Sequence, residues 1–244
     1  MRNLKLLIEY EGTAYYGWQI QPGVRTVQGV IEEKLSLLLQ HPVRLKGASR
    51  TDKGVHALGQ VANFFTSNPM DLSTIQRALN ALLPPDIVIK GVEEVPADFH
   101  ARFSAKSKVY EYRILNRPFP SALWRRFCWH IPQPLELEVM RRCAEVLIGE
   151  HDFSSFRLSG DASLHSWRRV LRAQWRREEE LMVFEIEANA FLRGMVRGIV
   201  GTLVEVGRGK ISPEGFLEIL EARDRRKAAA TAPPQGLILK EIRY

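Results

Sequence analysis

The sequence predicts an α+β protein of two ferredoxin-like halves, with their sheets joined around a central cleft. Three observations predict it: strand-like and helix-like stretches follow the order β-α-β-β-α-β; the same order then recurs in the second half of the chain; and 244 residues suffice for one large core or two compact ones. The halves divide at 105/106, giving 1–105 and 106–244.

Each element has a local reason. "LKLLIEY" (4–10) is apolar and short enough for a strand, and a Gly-rich, aromatic loop, "EGTAYYGWQIQPG", follows it. Thr26 suits an N-cap for a helix to about residue 40, with Val27, Val30, Ile31, Leu35, Leu38 and Leu39 on one side. Pro42 stops it. Strands at 43–48 and 59–66 flank a loop containing "SRTDKG". Asp71 or Ser73 caps a second helix carrying Ile75, Ala78, Leu79 and Leu82, ended by the prolines at 84 and 85. "DIVIKGVEEV" closes the first half as a strand.

In the second half, "KVYEYRIL" (108–115) opens as a strand, and a Pro-rich, aromatic connection covers 117–134. A helix is expected at 135–149. "WRRVLRAQWRR" and "LMVFEIEA" form a hairpin across "EEE". Helices at about 191–206, capped by Asn189, and at 213–222 precede a closing strand, "GLILKEIRY".

Composition narrows the function. Lys plus Arg outnumber Asp plus Glu by 35 to 28, a net charge of +7 that favours a polyanionic partner such as nucleic acid. The basic residues gather in "RTDK", "RFSAKSK", "WRRF", "SWRRVLRAQWRR" and "RDRRK", although clusters of this kind are commonly solvated faces. Cys128 and Cys143 have neither metal-ligand spacing nor disulfide density. There is no HExxH, P-loop or GxGxxG after a strand, so no metal or cofactor is expected. No apolar run approaches the roughly 18 residues of a membrane span, and the amino terminus lacks a cleavable leader, so a cytoplasmic location is expected.

The chemistry gathers in "KGASRTDKGVHALGQVANFF" (46–65). A turn-forming aspartate is the plain reading of "TDKG", with Gly54 tolerating positive φ. Against it, Arg50 and Lys53 flank Asp52 and favour its ionised form, and the neighbouring strands hold the loop at a sheet end.

This stretch resembles the signature loop of the tRNA pseudouridine synthase A family, written G-x-x-R-T-D-x-G-V-H-A. "EYEGTAYYGWQIQPGVRTVQGVIEEKL", "FHARFSAKSKVYEYRI", "HDFSSFR", "FLRGMVRGIVGTLVEVGRGK" and "AAATAPPQGLILKEIRY" resemble further family segments, in order and over nearly the whole chain. The resemblance implies the pseudouridine synthase fold and isomerisation of uridine to pseudouridine at positions 38, 39 and 40 of the tRNA anticodon stem-loop. It also implies a homodimer that needs no metal or cofactor. Asp52 matches the obligatory catalytic carboxylate, and Arg197 matches its partner. Tyr110 corresponds to an aromatic residue that stacks on the flipped uracil and takes part in proton transfer. Arg50 is expected to contact RNA where the flipped nucleotide leaves a gap, and Leu237 to line the uracil pocket. Lys53 departs from the small residue found in many bacterial members.

These residue types suit the reaction. A stacked base must be flipped out before its glycosidic bond can be cut. An ionised carboxylate can then attack C1′, assist proton loss from C2′, or add to C6, and the sequence does not choose among these routes. An aromatic face holds a base that must rotate without fixing it by hydrogen bonds. In the helix expected at 191–206, Arg193 and Arg197 lie one turn apart, beside glycines 194, 198 and 201. The alternative reading, a non-catalytic RNA-binding protein of two RRM-like halves, shares the element order. No segment, however, matches the RNP1 pattern.

Overall fold

The computed structural model describes residues 1–160 and 163–244. The chain forms two compact units, one of Met1–Lys106 with Leu239–Tyr244 and one of Ser107–Ile238.

In the first unit, β1 (Arg2–Tyr10) is followed by α1 (Val27–Leu39), β2 (Lys46–Gly47), β3 (His56–Thr66), α2 (Leu72–Leu82) and β4 (Ile87–Val95). Its strands run β4-β1-β3-β2, all antiparallel to their neighbours, which is the ferredoxin-like order. Alternation sets the faces: Leu4, Leu6 and Ile8 of β1 are fully buried, beside Phe64 and Ala62 of β3. Thr26 caps α1 by accepting from the Gly29 N–H, and Asp71 caps α2 by accepting from Thr74. Helix α1 ends at Gln40, which takes the left-handed conformation (φ 58°), before Pro42 is reached.

The strand expected at 43–48 shortens to Lys46–Gly47, and β3 begins three residues earlier than expected. Leu45 instead donates its N–H to the Glu32 carboxylate. The closing residues 239–244, which the sequence reading placed in the second half, group with the first unit. Gly59 explains part of this: a Cβ there would lie 2.5 Å from the Lys240 carbonyl oxygen. Tyr244 also donates to the Ala101 carbonyl, and the Lys5 ammonium lies over its ring.

The second unit contains β5 (Ser107–Asn116), β6 (Trp129–Ile131), α3 (Leu137–Glu145), β7 (Gly149–Asp152), β8 (Trp167–Glu178), β9 (Leu181–Ala188), α4 (Met195–Gly207) and α5 (Pro213–Glu221). The final strand, β10 (Leu237–Arg243), starts in it. Its sheet runs β5-β9-β8-β7, with β6 parallel to β5. The expected β8–β9 hairpin is present, with Glu179 at φ 52° in its turn.

Three expectations change here. The helix expected at 135–149 stops at Glu145, and Gly149 (φ 113°) opens the unforeseen strand β7. The connection at 117–134 contains β6. Helix α4 begins at Met195, so Asn189 does not cap it; its Oδ1 accepts from Arg169 and Ala190 instead. Gly194 at φ 69° turns the chain into α4, which puts Arg193 before the helix, donating to the Ser159 carbonyl.

Candidate active site

The loop between β2 and β3 is held by main-chain and buried polar contacts rather than by its own turn alone. Ala48 donates to the Val61 carbonyl, and the Gln60 amide, fully buried, bonds both N–H and C=O of Ser49. Val55 N–H closes the turn on the Asp52 carbonyl at 3.2 Å, and Gly54 supplies the left-handed step at φ 78°.

The aromatic loop after β1 clamps this turn from outside. Trp18 donates to the Thr51 carbonyl at 3.1 Å, and Gly54 donates to that of Tyr15 at 3.4 Å. The Tyr10 hydroxyl meets Thr51 Oγ1 at 2.7 Å inside the core. The approach is close enough to require glycine. A Cβ on Gly12 would lie 2.0 Å from the Val55 carbonyl oxygen, and one on Gly17 would lie 2.4 Å from that of Thr51. Gly12 N–H also donates to His56 Nδ1, which fixes that ring's acceptor nitrogen. Tyr15 anchors the clamping loop by donating to Asp86 at 2.6 Å; burial and that carboxylate push its phenol well above the ordinary value.

Asp52 therefore stands half-buried at the apex of a turn whose backbone is fixed on both sides. Its flanking cations face elsewhere. The Lys53 ammonium lies 3.9 Å from the centroid of the Tyr16 ring, and Arg50 lines a cleft on the first unit.

The other expected site residues lie in the second unit. Tyr110, on β5, is 5% exposed and meets Phe191 edge-on at 5.0 Å between ring centroids. Tyr112, two residues on, is a core tyrosine: it is fully buried and donates to the Pro233 carbonyl at 2.7 Å. Burial raises its phenol well above the usual value, against the pull of the Arg197 guanidinium. Arg197, on α4, is half-buried and bonds Ala232 twice, its Nε donating to the carbonyl and its own carbonyl accepting the N–H. Gly201 lets that strand of chain lie on the helix, since a Cβ there would be 2.0 Å from the Ala230 carbonyl oxygen. The same segment leads through Gly236, packed against the Tyr112 ring, to Leu237, which is 6% exposed.

The arginines of β8 are largely spoken for. Arg172 pairs with Glu185, and Arg176 bonds Glu111 at 2.8 Å and Glu178 at 2.6 Å. Arg168 is buried and donates to the carbonyls of His165 and Trp167.

A family model described as tRNA pseudouridine synthase matches residues 6–104 and 143–244. The chain belongs to that family. Membership makes it an isomerase, and full-length relatives agree. It is 50% identical over 244 residues to the tRNA pseudouridine synthase A of Acetivibrio thermocellus, with all of both chains covered. It is 48% identical to that of a Thermoanaerobacter species and 45% to that of Geotalea daltonii, again over both whole chains. The family's R-T-D loop is the segment that the Tyr10–Trp18 stretch clamps. Sequence reasoning named Asp52 but missed its supports: Gly12, Gly17, Tyr10, Thr51 and Gln60. For Gly12 and Gly17 the signal was the run of glycines and aromatics in "EGTAYYGW".

Proposed function

We infer that this protein converts uridine to pseudouridine at positions 38, 39 and 40 of the tRNA anticodon stem-loop, with Asp52 as the catalytic carboxylate. The observation that carries the reading is the Asp52 turn, rigidly clamped within a chain that matches the family over its whole length. Pre-positioning of the reacting group suits a reaction in which a base must leave its stack, rotate and rejoin the sugar in the right order.

The reaction balances without an outside reactant. The N1–C1′ bond breaks, C5 bonds to C1′, and the C5 proton passes to N1 by way of a protein group or solvent. Asp52 serves the first step, and Tyr110 stacks on the uracil and accepts the C5 proton. Arg197 supports substrate binding from α4, Arg50 contacts the RNA beside the emptied position, and Leu237 lines the base pocket. The working form is a cytoplasmic homodimer. Within the described residues no helix is long and apolar enough to cross a membrane.

The test is to incubate purified protein with an unmodified tRNA transcript and map the products. Pseudouridine confined to 38–40 supports the reading. Conversion elsewhere would reassign the substrate, and no conversion would reject the reading.

A further inference from the structure

One cleft of the first unit lies beside the catalytic loop, and of the residues lining it only Arg50 has a role in the reading above. Its volume is about 260 Å³, and Lys46, Arg50, His100, Arg102 and Phe103 line it together with Trp18. Among the described residues, no carboxylate lines it. Among the described residues, Lys46, Arg50 and Arg102 have no ion-pair partner, whereas Arg44 close by in sequence is paired with Glu32. Gathering unpaired cations around one concavity costs self-repulsion, which an anion would relieve.

The cleft is built rather than incidental. Its floor includes the buried Trp18 indole against Gly47, where a Cβ would come within 2.3 Å of the ring nitrogen. Its rim, the 100–104 turn, is pinned from the core. Asn63, fully buried, accepts from Ala101 N–H, while Asn3 donates to the carbonyls of Pro96 and Phe99. Within the turn, His100 Nδ1 accepts from Arg102 N–H at 3.1 Å, and Ser104 and His100 bond reciprocally. Burial, then Lys46 and Arg102, hold the His100 imidazole below its usual pKa. Phe103 projects from this rigid rim at 76% exposure, an unusual position for a large apolar ring, and it touches His100 (4.4 Å between ring centroids) and the Arg102 guanidinium (5.5 Å from its centroid).

We propose that this cleft is a phosphate clamp for the substrate RNA, in which Lys46, Arg50 and Arg102 hold a backbone phosphodiester next to the nucleotide presented to Asp52 and Phe103 stacks on an adjoining base. The proposal rests on the tRNA reading above. Arg50, two residues from Asp52, lines the clamp and so ties strand position to the reacting base. A phosphate fixed there gives register without sequence information, and the ring adds a contact that any base can satisfy.

The experiment measures tRNA affinity between about 50 and about 200 mM salt for the wild type, a Lys46→Ala/Arg102→Ala variant, Phe103→Ala, and Lys90→Ala, a control whose cation is paired with Glu9. Loss of one phosphate contact should make the logarithmic salt slope shallower by about one in the double variant. Lys90→Ala should leave the slope unchanged. Arg102→Lys, which keeps the charge, should retain the wild-type slope. Phe103→Ala should weaken binding by about 5- to 160-fold at every salt concentration, with the slope unaltered. The variants change exposed side chains, and circular dichroism is the check on their folding. An unchanged slope in the folded double variant overturns the clamp. So does binding of inorganic phosphate, followed by phosphorus NMR, without any change in RNA slope, since the cleft would then take free phosphate only. Wild-type turnover is assayed on the same tRNA. Its absence would reject the enzymatic reading, while the slopes would still decide the clamp.

Discussion

Gly17→Ala should disable the enzyme without touching any group that meets substrate. Gly17 has φ 87°, and its added Cβ would lie 2.4 Å from the Thr51 carbonyl oxygen and 3.1 Å from the Asp52 carbonyl carbon. Real contacts of this kind begin at 3.0 Å and are ordinary from 3.4 Å. The turn must therefore retreat by about 0.6–1 Å, since nothing but backbone stands in the way. The left-handed conformation costs about 1–2 kcal/mol for alanine, and losing the Trp18–Thr51 hydrogen bond about 1 kcal/mol more. For a protein of this size the sum corresponds to a melting temperature lower by about 5–10 °C. The catalytic loss should be larger: a displacement near 1 Å costs about 100-fold in rate. Gly23→Ala supplies the control, because Gly23 also has positive φ (74°) but, its chain neighbours aside, no atom of the described residues lies within 4 Å of the would-be Cβ. It should cost similar conformational strain and leave turnover within about twofold. Turnover is read as tritium released from tRNA labelled at C5 of uridine, because bond formation at C5 displaces that hydrogen. Wild-type turnover by Gly17→Ala, or equal losses in both variants, would refute the claim that backbone approach positions Asp52.

Two further outcomes follow from the second unit. If the Tyr110 hydroxyl takes the C5 proton, Tyr110→Phe should lose turnover but keep tRNA binding, and Tyr110→Ala should also weaken capture of the flipped base, by about 1–3 kcal/mol; full turnover by the Ala variant would remove Tyr110 from the site. Burial opposes ionisation of Glu111, but hydrogen bonds and charge from Arg176 and Arg113 prevail and hold its carboxyl below the usual range. Its contribution is therefore fully present above the unfolded-state value and is lost as pH falls through the folded one. Glu111→Gln should cost about 1–3 kcal/mol at neutral pH in denaturant titrations, with the gap from wild type closing as the solution is acidified; a gap independent of pH would contradict this assignment.

How far the sequence could be read depended on whether a feature was local. Thr26 and Asp71 cap their helices as their side-chain chemistry demands, and the β8–β9 hairpin follows from its alternation. Strands β6 and β7, of three and four residues, are too short to show any period, and β6 exists only because β5 lies alongside it. The start of α4 was misplaced because Asn189 looks like a cap while Gly194, a residue with no capping side chain, performs the turn. Asp52 was legible from its cationic, glycine-bearing turn together with the family resemblance. Its supports were not, because Gly12 and Gly17 matter only through backbone 30 or more residues away. Similarly, the arginines of β8 read as a free basic patch until Glu111 and Glu185 were seen to pair with two of them.

The central claim is that Asp52 acts as a carboxylate on tRNA uridine, and Asp52→Asn tests it most directly. The amide has nearly the same shape and leaves the backbone bonds of the turn intact, so folding and tRNA affinity should stay within severalfold of wild type. Pseudouridine formation under single-turnover conditions, with enzyme in excess over tRNA, should fall to background. Turnover by carefully purified Asp52→Asn at a rate comparable to wild type would contradict the account.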